Sequence, residues 1–161
     1  MKILTNRIIF GILIILNCIT IFYFSNQVSD DSTKSSGIIV NIVAEIIPQI
    51  KNMEKQEKQK IKEDVLTPVV RKCAHFTLYA FLGLWTINFT NTMEDKKVRS
   101  IIYSLIFCIL YATTDEIHQY FIPGRSAEAR DVLIDSLGAL TGILFVISVA
   151  TISKKIKKQE G

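Results

Sequence analysis

Residues 98–153 read VRSIIYSLIFCILYATTDEIHQYFIPGRSAEARDVLIDSLGALTGILFVISVATIS: two apolar runs separated by a charged stretch from Asp115 to Asp135. Eight acidic or basic side chains crowd that stretch: Asp115, Glu116, His118, Arg125, Glu128, Arg130, Asp131 and Asp135. How the flanking runs are read decides the fold. A helix needs about 20 mostly apolar residues to cross roughly 30 Å of hydrocarbon. Four segments approach that length with no lysine or arginine inside, at residues 8–24, 73–90, 101–114 with its flanks, and 132–153. Their centres lack the polar stripe that a helix of a soluble core would show. A hydrophobic fraction of 49% and a mean hydropathy of +0.32 agree. The expected class is all-α: a polytopic membrane protein built as a four-transmembrane-helix bundle.

Lys2 and Arg7 precede the first run, as in a cleaved signal peptide. That run is too long for a signal core and ends in FYFSNQ without a small-x-small site, so it is read as a retained span. Basic residues then orient the bundle. With the amino terminus inside, nine of them lie on the cytoplasmic side close to a span: Lys2, Arg7, Lys96, Lys97, Arg99, Lys154, Lys155, Lys157 and Lys158. Both termini are expected in the cytoplasm, and the net charge of +4 reflects topology, with no nucleic-acid partner implied. Cys18, Cys73 and Cys108 are odd in number and sit in or beside spans, so they are expected as free apolar thiols.

Residues 1–66 combine the first span with an external segment, residues 67–153 form a three-helix core, and residues 154–161 are a basic tail. In the external segment, Ile38–Ile39, Ile42–Val43 and Ile46–Ile47 repeat apolar pairs at a spacing of four. This predicts an amphipathic helix ending near Pro48, too short to span and suited to the membrane surface or a cavity mouth. Thr67 and Pro68 read as the cap and first residue of the second span. Pro123-Gly124 reads as a turn, and Ser126 as the cap of the last helix.

Each of the last three apolar helices carries one polar face. Lys72, His75, Tyr79 and Gly83 align on one, Tyr111, Asp115, His118 and Gln119 on the next, and Asp131, Asp135, Gly138 and Gly142 on the last. Ionisable groups inside a span are costly and usually face the bundle interior at a functional site. They are therefore expected to line a pocket open to the outside. The plainer alternative is a structural network in which Arg71, Lys72, Arg125 and Arg130 neutralise Asp115, Glu116, Asp131 and Asp135. Gly138-x-x-x-Gly142 reads as helix packing, Asn17 as an interhelical hydrogen bond, and Tyr23 and Phe24 as interface anchors.

No metal site or cofactor is read from the sequence. DExHQ lacks the paired histidines of HExxH, so zinc would require His75 and His118 to meet across helices. No nucleophile elbow supports a Ser-His-Asp set. A histidine with Asp115 suits general acid–base work. Arginines suit a bidentate phosphate or carboxylate.

The runs RKCAHFTLYAFLGL and TDEIHQYFIPGRSAEARDVLIDSLGALTG resemble the VanZ-like family of bacterial membrane proteins. The resemblance covers roughly residues 71–142 and falls on Lys72, His75, Tyr79, Asp115, Glu116, Gln119, Arg125, Asp131, Asp135 and Gly138. It implies a small polytopic protein of the cell membrane. The family's name-giving member is associated with low-level resistance to teicoplanin, a lipoglycopeptide acting on cell-wall precursors. Three functions stay open. One is a protein binding or modifying an anionic amphiphile of the envelope (a lipid, a lipid-linked cell-wall precursor or a lipoglycopeptide) through Lys72, Tyr79, Gln119, Arg125, Asp131 and Asp135. Another is a membrane enzyme with His75, Asp115 and Glu116 as proton-transfer groups. The third is an accessory subunit with a purely stabilising charge network. A transport path through so few helices would require a homo-oligomer.

Overall fold

A computed structural model of the chain describes residues 2–26, 29–123, 125 and 128–159. Every regular element among them is helical: α1 (Lys2–Ser25), α2 (Ser29–Ile46), α3 (Pro48–Lys51), α4 (Lys55–Ile61), a π-helical stretch Lys62–Leu66, α5 (Thr67–Thr90), α6 (Lys97–Tyr120) and α7 (Ala129–Gln159). Three segments have the length and hydropathy to cross a membrane: Ile3–Ser25, Lys97–Tyr120 and Ala129–Gln159. The four-span expectation is therefore supported for three helices. α5 matches α1 and α6 in length at 24 residues but carries Arg71 and Lys72 in its second turn and is not among these three. It occupies the middle of the bundle, against α7 above all and also α1 and α6. Its partners are protein on three sides, so it needs less apolar surface than its neighbours.

The contact between α5 and α7 is made by glycine. A side-chain carbon at Gly83 would run into the Ala139 backbone, one at Gly138 into the Phe76 carbonyl, and one at Gly142 into the Ala80 carbonyl. Without side chains at these points the two backbones meet directly, as small residues permit in membrane helices. Small hydroxyl and thiol groups join α5 to α6 lower down, where the Thr90 and Ser104 hydroxyls lie 2.9 Å apart. On α1 a narrow stripe at a spacing of four, Asn17, Ile21 and Ser25, is buried. Asn17 donates to the Leu78 carbonyl at 3.2 Å, the interhelical bond its position foretold. The other faces of α1, α6 and α7 leave Ile8, Ile15, Ile106, Leu110, Leu144 and Phe145 exposed.

Pro68 lies in the first turn of α5 as expected, but no break in the chain precedes it and Thr67 is not its cap. The residue before α5, Leu66, already has helical dihedrals and contributes no side-chain cap, and the chain turns helically from α4 into α5. Proline lacks an N–H and its ring collides with the carbonyl four residues back, so the turn ahead of it widens. Thr67 answers locally: its hydroxyl donates to the Lys62 carbonyl at 2.8 Å instead of capping a helix.

The segment between α1 and α5 folds against this widened turn. Val40 and Ala44 of α2 bury themselves with Ile50 and Leu66, and Val43, Ile47, Ile61 and Val70 complete the cluster. Glu45 pairs with Lys58 at 2.5 Å, and Asn41 accepts from Lys62 at 2.8 Å. The isoleucines of the sequence pattern, Ile38, Ile39, Ile42 and Ile46, lie on the opposite side and are exposed. The apolar periodicity thus holds, but valine and alanine form the packed face.

The glycine contact makes a direct prediction. Gly142→Val forces α5 and α7 apart and should lower the melting temperature of detergent-solubilised protein by roughly 5 °C or more, at an overpacking cost of about 1–3 kcal/mol. Gly37→Ala, where an added carbon meets nothing within 4 Å, should leave it unchanged or slightly raised.

Candidate functional site

Four helices bring polar side chains to one end of the bundle. On α5, Lys72, His75 and Tyr79 point the same way because they are three and four residues apart. α6 contributes Asp115, Glu116 and Gln119, α7 contributes Asp131 and Asp135, and α1 ends there with Ser25. His75, Asp115, Glu116, Gln119 and Asp135 are all buried. The expectation that these helices share one polar level holds in space.

His75 sits between two carboxylates. Its Nδ1 is 3.9 Å from Asp115 Oδ2 and 3.8 Å from Asp135 Oδ2, and both aspartate side chains are only 2% exposed. Asp115 is held in place by neutral donors: Ser25 Oγ donates to its Oδ2 at 2.8 Å and Gln119 Nε2 donates at 3.1 Å. Among the described residues Asp135 Oδ2 has no hydrogen-bond partner, and neither does the buried Tyr79 hydroxyl. Glu116 accepts the backbone N–H of Glu128 at 3.1 Å, tying α6 to the approach to α7.

The cations are arranged unevenly. Lys72 Nζ pairs with Asp131 at 2.5 Å and lies 3.6 Å from Glu128. Arg125, in the connection between α6 and α7, donates to Gln119 Oε1 at 3.2 Å and to the Phe24 carbonyl at 3.1 Å, both neutral oxygens. Its Nε is buried and has no partner among the described residues. Burial, and then the nearby Arg71 charge, push the Arg125 pKa below its usual value. Among the described residues Arg71 itself makes no ion pair. Two guanidinium groups therefore stand near each other, and among the described residues neither is ion-paired to a carboxylate. Of the four bases expected to neutralise the acids, only Lys72 does so among these residues, while Arg130 is exposed.

Arg71, Lys72, His75, Glu116, Gln119, Asp131, Ile134 and Asp135 enclose a cavity of about 10 Å³. That is room for about one water molecule or ion. Beside it, a groove of about 390 Å³ runs along the surface between α5 and α7, lined by Val69, Cys73, Phe76 and Thr77. Lys72 and Ile134 belong to both spaces, so the apolar groove leads up to the polar cavity.

Two expected residues sit elsewhere. His118 shares neither the cavity nor the cluster: its ring stacks on Phe22 of α1 at 4.7 Å, so His75 and His118 do not form a joint ligand set. The three-residue step from Asp115 turns it toward α1. Tyr111 is structural, donating from its hydroxyl to the Cys18 carbonyl at 2.7 Å. Gly124 and Ser126 lie outside the described residues. Ser25 was not foreseen, although the spacing Asn17, Ile21, Ser25 was available as a signal; Arg71 was foreseen only as a counter-charge. Ser25 donates to Asp115 and not to His75, so this is no Ser-His-Asp relay.

No curated protein and no solved structure matches the chain significantly. One family model does, described as VanZ/LLP1, over residues 10–151. The match spans α1 and all three helices that carry the polar cluster, and the chain belongs to the VanZ/LLP1 family of membrane proteins.

Proposed function

We propose that this protein holds an anionic amphiphile of the bacterial cell envelope, a lipid or lipid-linked cell-wall precursor, with the headgroup at Arg71 and Arg125 and the chain in the groove between α5 and α7. The observation that carries this reading is that Arg71 lines the polar cavity next to the apolar groove with Arg125 near it, and that among the described residues neither guanidinium has a carboxylate partner. A guanidinium fork binds a phosphate or carboxylate in bidentate fashion, and a half-buried one gains more than an exposed one. A groove of this size is in the range of small-molecule sites, and its apolar walls suit a hydrocarbon chain. The polar cavity admits no headgroup as it stands, so the headgroup rests at its mouth. Lipoglycopeptides such as teicoplanin have the same chemistry, an anionic polar body with a lipid tail.

The orientation that fits this ligand has both termini in the cytoplasm and the polar end of the bundle at the outer face. Basic residues flanking α1, α6 and α7 support it. The exposed isoleucine face of α2 then meets the outer membrane surface beside the site.

A second reading is an enzyme acting on the headgroup. His75 between two aspartates supports it, because a histidine so placed can take up and return a proton.

Native mass spectrometry of gently extracted protein tests the binding reading. The wild type should retain a phosphate-bearing lipid, and Arg71→Gln/Arg125→Gln should retain at least tenfold less, since a hydrogen bond to a charged group contributes about 1.5–3 kcal/mol. Equal retention by both proteins would refute it. In a cysteine-free background, a cysteine at Gly124 should react with an impermeant maleimide on intact cells and one at Met93 should not; the reverse pattern inverts the topology. Lipid profiling separates binding from catalysis: an altered lipid species that disappears in His75→Ala requires the enzyme, whereas an unchanged profile leaves binding.

A further inference from the structure

We infer that His75, Asp115 and Asp135 form a binding site for one divalent transition-metal cation, with α5, α6 and α7 each giving one ligand. The three groups each offer a ligand atom, and these atoms all lie within 4.8 Å of one another. The separations from His75 Nδ1, 3.9 and 3.8 Å, are too long for hydrogen bonds and suit one small occupant bridging the groups. A point roughly 2.5 Å from all three atoms exists, and a small contraction reaches the about 2.0–2.2 Å of metal–nitrogen and metal–oxygen bonds.

Two further observations point to an occupant. Asp135 Oδ2 is buried and, among the described residues, unpartnered, and it faces the histidine. Burying an acceptor with nothing to accept from costs free energy that a bound cation would remove. The cavity that His75 and Asp135 line has room for about one ion or water. Two aspartates close together in a dry interior favour a positive charge between them, a place that a cation held with His75 as co-ligand would fill. One imidazole with two carboxylates favours zinc or manganese; calcium and magnesium prefer all-oxygen sets. Ser25 and Gln119 orient the Asp115 carboxylate as outer partners orient metal ligands. The remaining coordination positions open into the cavity below Arg71, where water or an anionic oxygen fits. The site stands whether or not the lipid reading holds.

The test uses the metal alone on full-length, detergent-purified protein stripped by chelator. Titration with Zn²⁺ should give one tight equivalent per chain, lost or weakened at least tenfold in His75→Gln and Asp135→Asn and kept in the surface variant Glu45→Gln. Electron spin-echo spectroscopy of Mn²⁺ bound to the wild type should show coupling to one imidazole nitrogen, a readout that does not depend on any variant folding. Without metal, Asp135→Asn should melt above the wild type because it removes a buried charge, and added Zn²⁺ should raise only the wild type. A wild type that binds no metal, variants that bind it equally well, or Mn²⁺ without nitrogen coupling would each overturn the site.

Discussion

The direct backbone contact between α5 and α7 is the constraint on which the site depends. Gly83, Gly138 and Gly142 let the two helices approach until any added side chain would strike a main-chain atom. That approach sets His75 of α5 3.8 Å from Asp135 of α7. With bulkier residues at the crossing, the helices would stand further apart and the histidine would lose one of its carboxylates. The packing glycines and the polar cluster lie on the same faces of the same helices, so one geometric device serves both stability and site assembly.

Electrostatics explain why this end of the bundle is unusual. A low-dielectric interior penalises unpaired charge, and stable proteins usually pair or neutralise it. Here Lys72 and Asp131 are paired at the rim, while the buried aspartates rely on neutral donors and a histidine. Arg125 likewise rests on an amide oxygen and a backbone carbonyl. Among the described residues these arginines and buried aspartates form no ion pair with one another, an arrangement that costs stability relative to a fully paired network. Such an arrangement makes sense when ligands supply the missing charges: an anion for the arginines, a cation for the aspartates.

Much of the fold was legible in residue order. Spans are long apolar runs, and the helix period places Lys72, His75 and Tyr79 on one face whatever their neighbours do. Asn17 and the glycine pair were also readable, because polar and small residues inside a span have few roles besides interhelical contact. Other features were not. His118 looked equivalent to His75, but it lies a three-residue step from Asp115 and stacks on Phe22, which depends on where α1 packs. On α2 the apolar pairs marked an amphipathic helix, but not that Val40 and Ala44 would pack against Ile50 and Leu66 while Ile38, Ile39, Ile42 and Ile46 stay exposed. Thr67 looked like a helix cap because the sequence does not show that a widened turn can absorb Pro68.

By itself, the sequence determined the all-helical class, the positions of the apolar helices and the faces on which the polar groups lie. These follow from local periodicity and the hydrocarbon thickness, which act on one segment at a time. Only the tertiary structure decided which faces meet: that Ser25 reaches Asp115 across ninety positions of chain, that Arg125 donates to Gln119, and that His75 rests between two aspartates. Those relations depend on distances between helices, which are set by glycine contacts and crossing geometry and have no counterpart in residue spacing along one strand of sequence.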